Sequence, residues 1–158
     1  MSTIDWQKDS KQLQTAVKLA AQGKTSLARQ QLAKLLAGGS MKAGRYLAVL
    51  DLEIAAKRGD ITAKIALANL YELGSIVDRD LSRAVALYCS ALEDNHRDTA
   101  GFMLAAGADL GLGRIAFFNH DFTHARVHFE RAAATGRPEI KDMATAYLTL
   151  MRKGNDEK

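Results

Sequence analysis

Residues 121–136 read DFTHARVHFERAAATG, and their order of small and large side chains recurs in residues 24–39 (KTSLARQQLAKLLAGG) and 80–95 (DLSRAVALYCSALEDN). The aligned positions are Ala28, Ala84 and Ala125; Leu32, Tyr88 and Phe129; Leu35, Ala91 and Ala132; and Gly39, Asn95 and Gly136. Steps of four, three and four residues put the first three positions on one face of an α-helix. The alanine permits close approach to a neighbouring helix, the large residue fills the space one turn later, and Gly or Asn ends the helix.

Outward from these stretches, apolar residues recur at helical spacing and nowhere alternate as in a strand, which predicts an all-α fold. Turn residues separate the segments, and the predicted helices span residues 5–22, 25–37, 41–58, 61–73, 80–94, 97–118, 121–135 and 138–152. The last helix carries an apolar stripe at Ile140, Met143, Ala144, Tyr147 and Met151.

Side chains suited to helix starts stand at several of the predicted boundaries. Thr25 or Ser26, Asp60, Asp80 and Asp121 can accept hydrogen bonds from the first free N–H groups of the following helix. Pro138 suits a first turn, where its missing N–H has no partner within the helix.

The predicted helix 97–118 is unusual because it contains four glycines. They are Gly101, Gly107, Gly111 and Gly113. They either break the helix in two or let neighbouring helices approach closely. We expect close packing, although each glycine inside a helix costs about 1 kcal/mol relative to alanine.

Two further sets of residues extend the repeat. One set comprises Ala63, Leu67, Tyr71, Gly74, Val77, Asp80, Arg83, Ala84, Tyr88 and Ala91; the other comprises Leu112, Gly113, Ala125, Phe129, Ala132 and Pro138. The first resembles a Sel-one-like repeat and the second a tetratricopeptide repeat. The sequence departs from the Sel-one-like pattern at Ser75 and Ile76, which follow Gly74, and at Leu87, where the family usually has Trp.

The resemblance implies a right-handed α-α solenoid of about three helix pairs with a C-terminal capping helix, in a single helical-repeat domain of residues 1–158. The repeat-like units are residues 10–39, 41–59 (partial), 60–95 and 97–137, followed by the capping helix 138–152. Stacked units of this kind bury apolar faces that no single pair can bury alone.

In solenoids of this family the first helix of each pair lines the concave side. The resemblance places Asn69 and Glu72 there from one unit, and Leu110, Arg114 and Phe117 from the next. Such a lining can bond backbone amides and bury side chains, so it suits a peptide or helix segment of another protein. The alternative is that these residues serve helix packing. The family's carboxylate clamp is not reproduced, because glycines occupy two of its positions.

Composition excludes several classes of protein. The 158 residues are 47% hydrophobic and 25% charged, which argues against disorder. One cysteine excludes an intramolecular disulfide framework. The N-terminus lacks the basic and apolar regions of a signal peptide, and no apolar run is long enough to insert into a membrane, so we expect a cytoplasmic location.

Few residues suggest catalysis or metal binding. His120, His124 and His128 are spaced four apart and could share a helix face, but no carboxylate or cysteine stands at matching spacing, so no metal or cofactor is predicted. Cys89 has no histidine or glycine-rich turn beside it. No set of nucleophile, base and orienting group is visible, and we expect no enzyme.

Charge leaves two alternatives open. Residues 1–59 hold 10 Lys and Arg against 4 Asp and Glu, a net charge of +6 in a chain of +4. This excess allows nucleic-acid binding through the N-terminal helices, although stacking aromatics are missing. Self-assembly into a homo-oligomer is the other alternative. The favoured interpretation is a non-enzymatic protein–protein interaction module, acting as an adaptor, assembly factor or secretion-type chaperone.

Overall fold

The computed structural model describes residues 6–94, 99–135 and 137–156, and these form helices without strands, which confirms the all-α prediction for this part of the chain. The helices are α1 (Trp6–Ala21), α2 (Thr25–Ala37), α3 (Met41–Lys57), α4 (Ile61–Leu73), α5 (Leu81–Glu93), α6 (Thr99–Phe118), α7 (Phe122–Thr135) and α8 (Pro138–Asp156). Most boundaries fall within two residues of the predicted ones, whereas α8 continues four residues further.

Side-chain caps begin several helices as predicted. Asp60 and Asp80 each accept a hydrogen bond from a backbone N–H three residues on, at 2.9 Å, and Asp121 does so at 3.2 Å. The prediction for α2 was wrong, because Thr25 already lies within the helix and does not cap it. Lys24 holds the cap position and makes no side-chain cap bond. Pro138 is the first residue of α8, as predicted.

Left-handed residues end four of the helices in the same way. Gly23, Gly39 and Gly59 have φ of 76°, 95° and 89°, and they follow α1, α2 and α3. His120 adopts φ 61° after α6, where most side chains are strained. In each case the N–H of the residue after the left-handed one donates a hydrogen bond to the carbonyl oxygen five residues before it. A carbonyl group at the helix end thereby gains a partner. The predicted turns at 95–96 and at residue 136 lie outside the described residues.

Contacts divide the chain into two compact units, Met1–Ile54 and Ala55–Lys158. The boundary falls inside the segment 41–59 that we predicted as a partial repeat unit. In the first unit, α1, α2 and α3 share an apolar core of Ala16, Ala28, Leu32, Leu35, Ala43 and Leu50. At its surface, Arg29 Nε donates to Asp51 Oδ1 at 2.7 Å and joins α2 to α3.

In the second unit α6 is the central helix, since it contacts α4, α5, α7 and α8. It is continuous, and close packing is confirmed at Gly111 and Gly113, whereas the surroundings of Gly101 lie outside the described residues. A Cβ on Gly111 would overlap the ring of Tyr88, and one on Gly113 would lie 2.6 Å from Phe129 Cε1. Tyr88 of α5 and Phe129 of α7 therefore pack against glycines of the same helix.

The pair α4 and α5 is further joined by a buried cation. Lys64 is 8% exposed, and its Nζ donates to Ser90 Oγ at 2.7 Å and pairs with Asp94. A buried ammonium group is tolerated because these partners replace water. The two helices are consequently fixed relative to each other by polar bonds as well as apolar packing.

Candidate functional site

Three helices of the second unit, α4, α6 and α8, line a groove of about 280 Å³. The lining residues are Thr62, Ile65, Ala66, Asn69, Met103, Leu104, Gly107, Leu110, Arg114, Arg137, Ile140 and Met143. Gly107 faces α4, and a Cβ there would lie 3.4 Å from Ile65 Cγ2, an ordinary van der Waals distance.

The groove has an accessible apolar surface. Met103 is 49% exposed, Leu104 39% and Met143 45%, and all three line the same depression. Single exposed apolar residues are ordinary, but their convergence in one concave site is typical of a binding surface. Methionine adds an adaptable side chain that can fit ligands of irregular shape.

One end of the groove is polar, and its side chains are held by a network of Asn69, Glu72, Tyr88 and Arg114, which we call the Arg114 network. Arg114 donates from Nε to Glu72 Oε1 at 2.9 Å and from Nη2 to Glu72 Oε2 at 2.6 Å. Arg114 Nη2 also donates to Asn69 Oδ1 at 3.1 Å. This bidentate pairing with Glu72 fixes the plane of the Arg114 guanidinium group.

Tyr88 supports the network from α5. Its hydroxyl proton can be donated to Asn69 Oδ1 or to Glu72 Oε2, both at 2.7 Å. Burial raises the pKa of Tyr88 well above its ordinary value, and the bond to Glu72 raises it further. The same carboxylate raises the pKa of Arg114, so the guanidinium stays charged. The network thus ties α4, α5 and α6 together at the groove.

The Tyr88 hydroxyl gives a prediction for alkaline pH. Folding keeps Tyr88 protonated above pH 10, where the unfolded chain loses that proton. Its contribution is fully present below pH 10 and decreases above it, by about 1.4 kcal/mol per pH unit. We expect Tyr88→Phe to remove this slope from the free energy of unfolding measured by urea titration between pH 9 and 11. An unchanged slope in the variant would contradict the assignment.

Three of the five predicted partner-binding residues, Asn69, Leu110 and Arg114, line the groove. Leu110 is only 2% exposed and belongs to the core, so it supports the groove floor. Glu72 does not line the groove and instead holds Arg114. Phe117 packs edge to face against Phe118, Phe122 and Tyr147.

The groove residues that sequence reasoning missed include Met103, Leu104, Arg137 and Met143. The contribution of α8 was hidden because we interpreted it as a capping helix with one buried stripe. Met143 belongs to that stripe, yet it is 45% exposed at the groove. Helical spacing alone identifies an apolar face without showing whether a neighbour covers it.

The histidines of α7 are engaged with carboxylates. His124 Nδ1 lies 2.6 Å from Asp121 Oδ2, and His128 Nδ1 lies 2.9 Å from Asp109 Oδ1. Asp109 is buried on α6 and also faces Arg131 Nε at 3.5 Å. Within the described ranges, no three His, Cys, Asp or Glu side chains are grouped to hold a metal ion. Cys89 is exposed on α5.

No family model, curated protein or solved structure matches this chain. Among the helices of the described residues, none has both the length and the apolar character needed to cross a bilayer. The groove and the Arg114 network are accordingly the features from which function is inferred.

Proposed function

We propose that this chain is a non-enzymatic protein–protein interaction module that holds a peptide or helix segment of another protein in the groove of α4, α6 and α8. The observation that carries the proposal is the convergence of exposed Met103, Leu104 and Met143 beside fixed hydrogen-bonding groups. Apolar side chains supply burial, and the polar end supplies orientation.

A tetratricopeptide-like or Sel-one-like architecture is part of this proposal. In it, α4 pairs with α5, α6 pairs with α7, and α8 is the cap of a right-handed α-α solenoid of about three pairs. The contacts of α6 with its two preceding and two following helices support stacked pairs. The roles of adaptor, assembly factor or secretion-type chaperone in the cytoplasm follow from the same class of protein.

The groove suits a short segment. From Met103 to Arg114, α6 rises about 16 Å, the length of roughly five extended residues or three turns of helix. Because the Arg114 network fixes the polar end in advance, little conformational freedom is lost when a ligand docks. Binding with little rearrangement of the module is the expected mode.

The test selects peptides that bind the parent chain from a displayed library of random 12-residue peptides. The affinity of the selected peptides is then measured for the parent chain and for the Met143→Glu variant. We expect at least about thirtyfold weaker binding, the loss typical of a central apolar contact, because a carboxylate would have to be buried under the ligand. Leu150→Glu is the matched control, since Leu150 is also an exposed apolar residue of α8 but does not line the groove.

The control should bind within twofold of the parent chain, and circular dichroism should show equal helicity for all three proteins. If Met143→Glu binds the selected peptides as well as the parent does, the groove is not the binding site. The same conclusion follows if Leu150→Glu weakens peptide binding as much as Met143→Glu does.

A further inference from the structure

We propose that the groove selects an acidic apolar segment, whose carboxylate lies against Arg137 and whose backbone carbonyl lies against Arg114. This inference rests on the proposed function and adds the chemistry and the direction of the ligand.

Arg137 is the cation that a ligand can reach. It is exposed, it lines the groove, and no carboxylate of the described residues lies within ion-pair distance of it. The groove lining contains two arginines and no Asp or Glu. An acidic side chain of a ligand would therefore meet an opposite charge there, and a basic one would be repelled.

Arg114 differs because its charge is already balanced. Glu72 engages both Nε and Nη2, and its side chain is only 10% exposed. The remaining nitrogen, Nη1, makes no hydrogen bond to another described residue, although Arg114 faces the groove. A balanced guanidinium with open N–H donors suits a neutral acceptor, such as a backbone carbonyl, better than a second carboxylate.

Arg114 and Arg137 lie at different levels along the groove that they both line. Arg114 lies one turn before Phe117, whose ring centroid is 5.4 Å from that of Tyr147. Arg137 precedes Tyr147 by ten residues, a rise of about 15 Å, whereas Arg114 precedes Phe117 by three residues, about 5 Å, so the two arginines are offset by about 10 Å along the helices. Met103, Leu104 and Met143 line the same groove as these two arginines. A short extended ligand can then present its acid to Arg137 and its apolar side chains to Met103, Leu104 and Met143.

The helix ends favour the same direction. The N-terminus of α8 directly follows Arg137, and helix N-termini carry partial positive charge. Glu139 in the first turn of α8 offsets part of this field, so Arg137 supplies most of the positive charge there, whereas Arg114 is already paired with Glu72. The electrostatic difference between the two arginines supplies the direction of binding.

The experiment uses peptides selected from the random 12-residue library against the intact chain. One selected peptide is synthesised as found and with its acidic residue changed to Lys, and binding is measured by fluorescence anisotropy at low and moderate salt. We expect Arg137→Glu to bind the acidic peptide about tenfold more weakly, and to bind the Lys version better than the parent chain does.

Arg126→Glu is the matched control, because Arg126 is an exposed arginine of α7 outside the groove. It should change binding less than twofold. If the selected peptides lack acids, or if Arg137→Glu and Arg126→Glu behave alike while Met143→Glu still abolishes binding, the charge selection is refuted and the interaction module stands. If Met143→Glu also has no effect, both proposals fail.

Discussion

We expect Gly111→Ala to lower the free energy of unfolding by about 3 kcal/mol, at the upper end of the range for overpacked cores. The added methyl group would occupy space that the Tyr88 ring already fills. Tyr88 is fully buried and bonded at its hydroxyl, so the ring cannot move aside without breaking the Arg114 network. Urea unfolding followed by circular dichroism measures the loss.

Gly44→Ala is the control for this substitution. Gly44 also lies within a helix, but its new Cβ would meet only the terminal Cδ1 of Leu36, a side chain that is 41% exposed and can move. We expect stability to stay the same or to rise by up to about 1 kcal/mol, the gain in helix propensity. Equal destabilisation by both substitutions would mean that loss of glycine itself, rather than contact with Tyr88, is responsible.

The second large effect is expected for Glu72→Ala, which should lower the free energy of unfolding by about 3 kcal/mol. The substitution leaves the Arg114 guanidinium half-buried without its carboxylate and leaves Tyr88 with one acceptor fewer. This value is at the low end for buried pairs because 22% of the Arg114 side chain remains exposed to water.

Two comparisons separate the charge effect from simple truncation. Glu72→Gln keeps an acceptor for Tyr88 and should lose less stability than Glu72→Ala. Asp51→Ala removes the partner of Arg29, whose side chain is 60% exposed, and should cost less than about 1 kcal/mol. If Glu72→Ala costs no more than Asp51→Ala does, the Arg114 network contributes little to stability.

The Arg114 network also decides how the groove can be tested. Arg114→Ala would remove a groove donor and at the same time leave Glu72 without its cation. A lost partner could then reflect lost stability rather than a lost contact. Met143 takes no part in the polar bonds that stabilise the fold, and its side chain is half-exposed. A substitution there therefore tests binding more directly than Arg114→Ala does.

The helices were predictable from sequence because their ends carry local signals. Asp60, Asp80 and Pro138 act within one turn, so their effect can be inferred without knowing which helices are neighbours. The position of α2 shows the limit of such signals. Thr25 is a good capping residue by type, but the helix starts at Thr25 itself with Lys24 at the cap position, and a side-chain cap is not required for it to form.

The site was only partly predictable, since its contacts are distant in sequence. Glu72 and Arg114 are 42 residues apart, and the resemblance to the repeat family placed both of them on a concave face. Nothing local shows that one would neutralise the other. Met143 was similarly assigned to a buried stripe, because a periodic pattern does not reveal where the neighbouring helix stops covering it.

The central place of α6 has a consequence for synthesis on the ribosome. When α6 has left the ribosomal tunnel, α4 and α5 can cover two sides of it, but α7 and α8 are still held within the ribosome and cannot yet pack on it. The surface beside Gly113 that later receives Phe129 is then open to water. Transiently open apolar surface of this kind promotes aggregation, so this stage of translation is the one at which molecular chaperones would help the chain most.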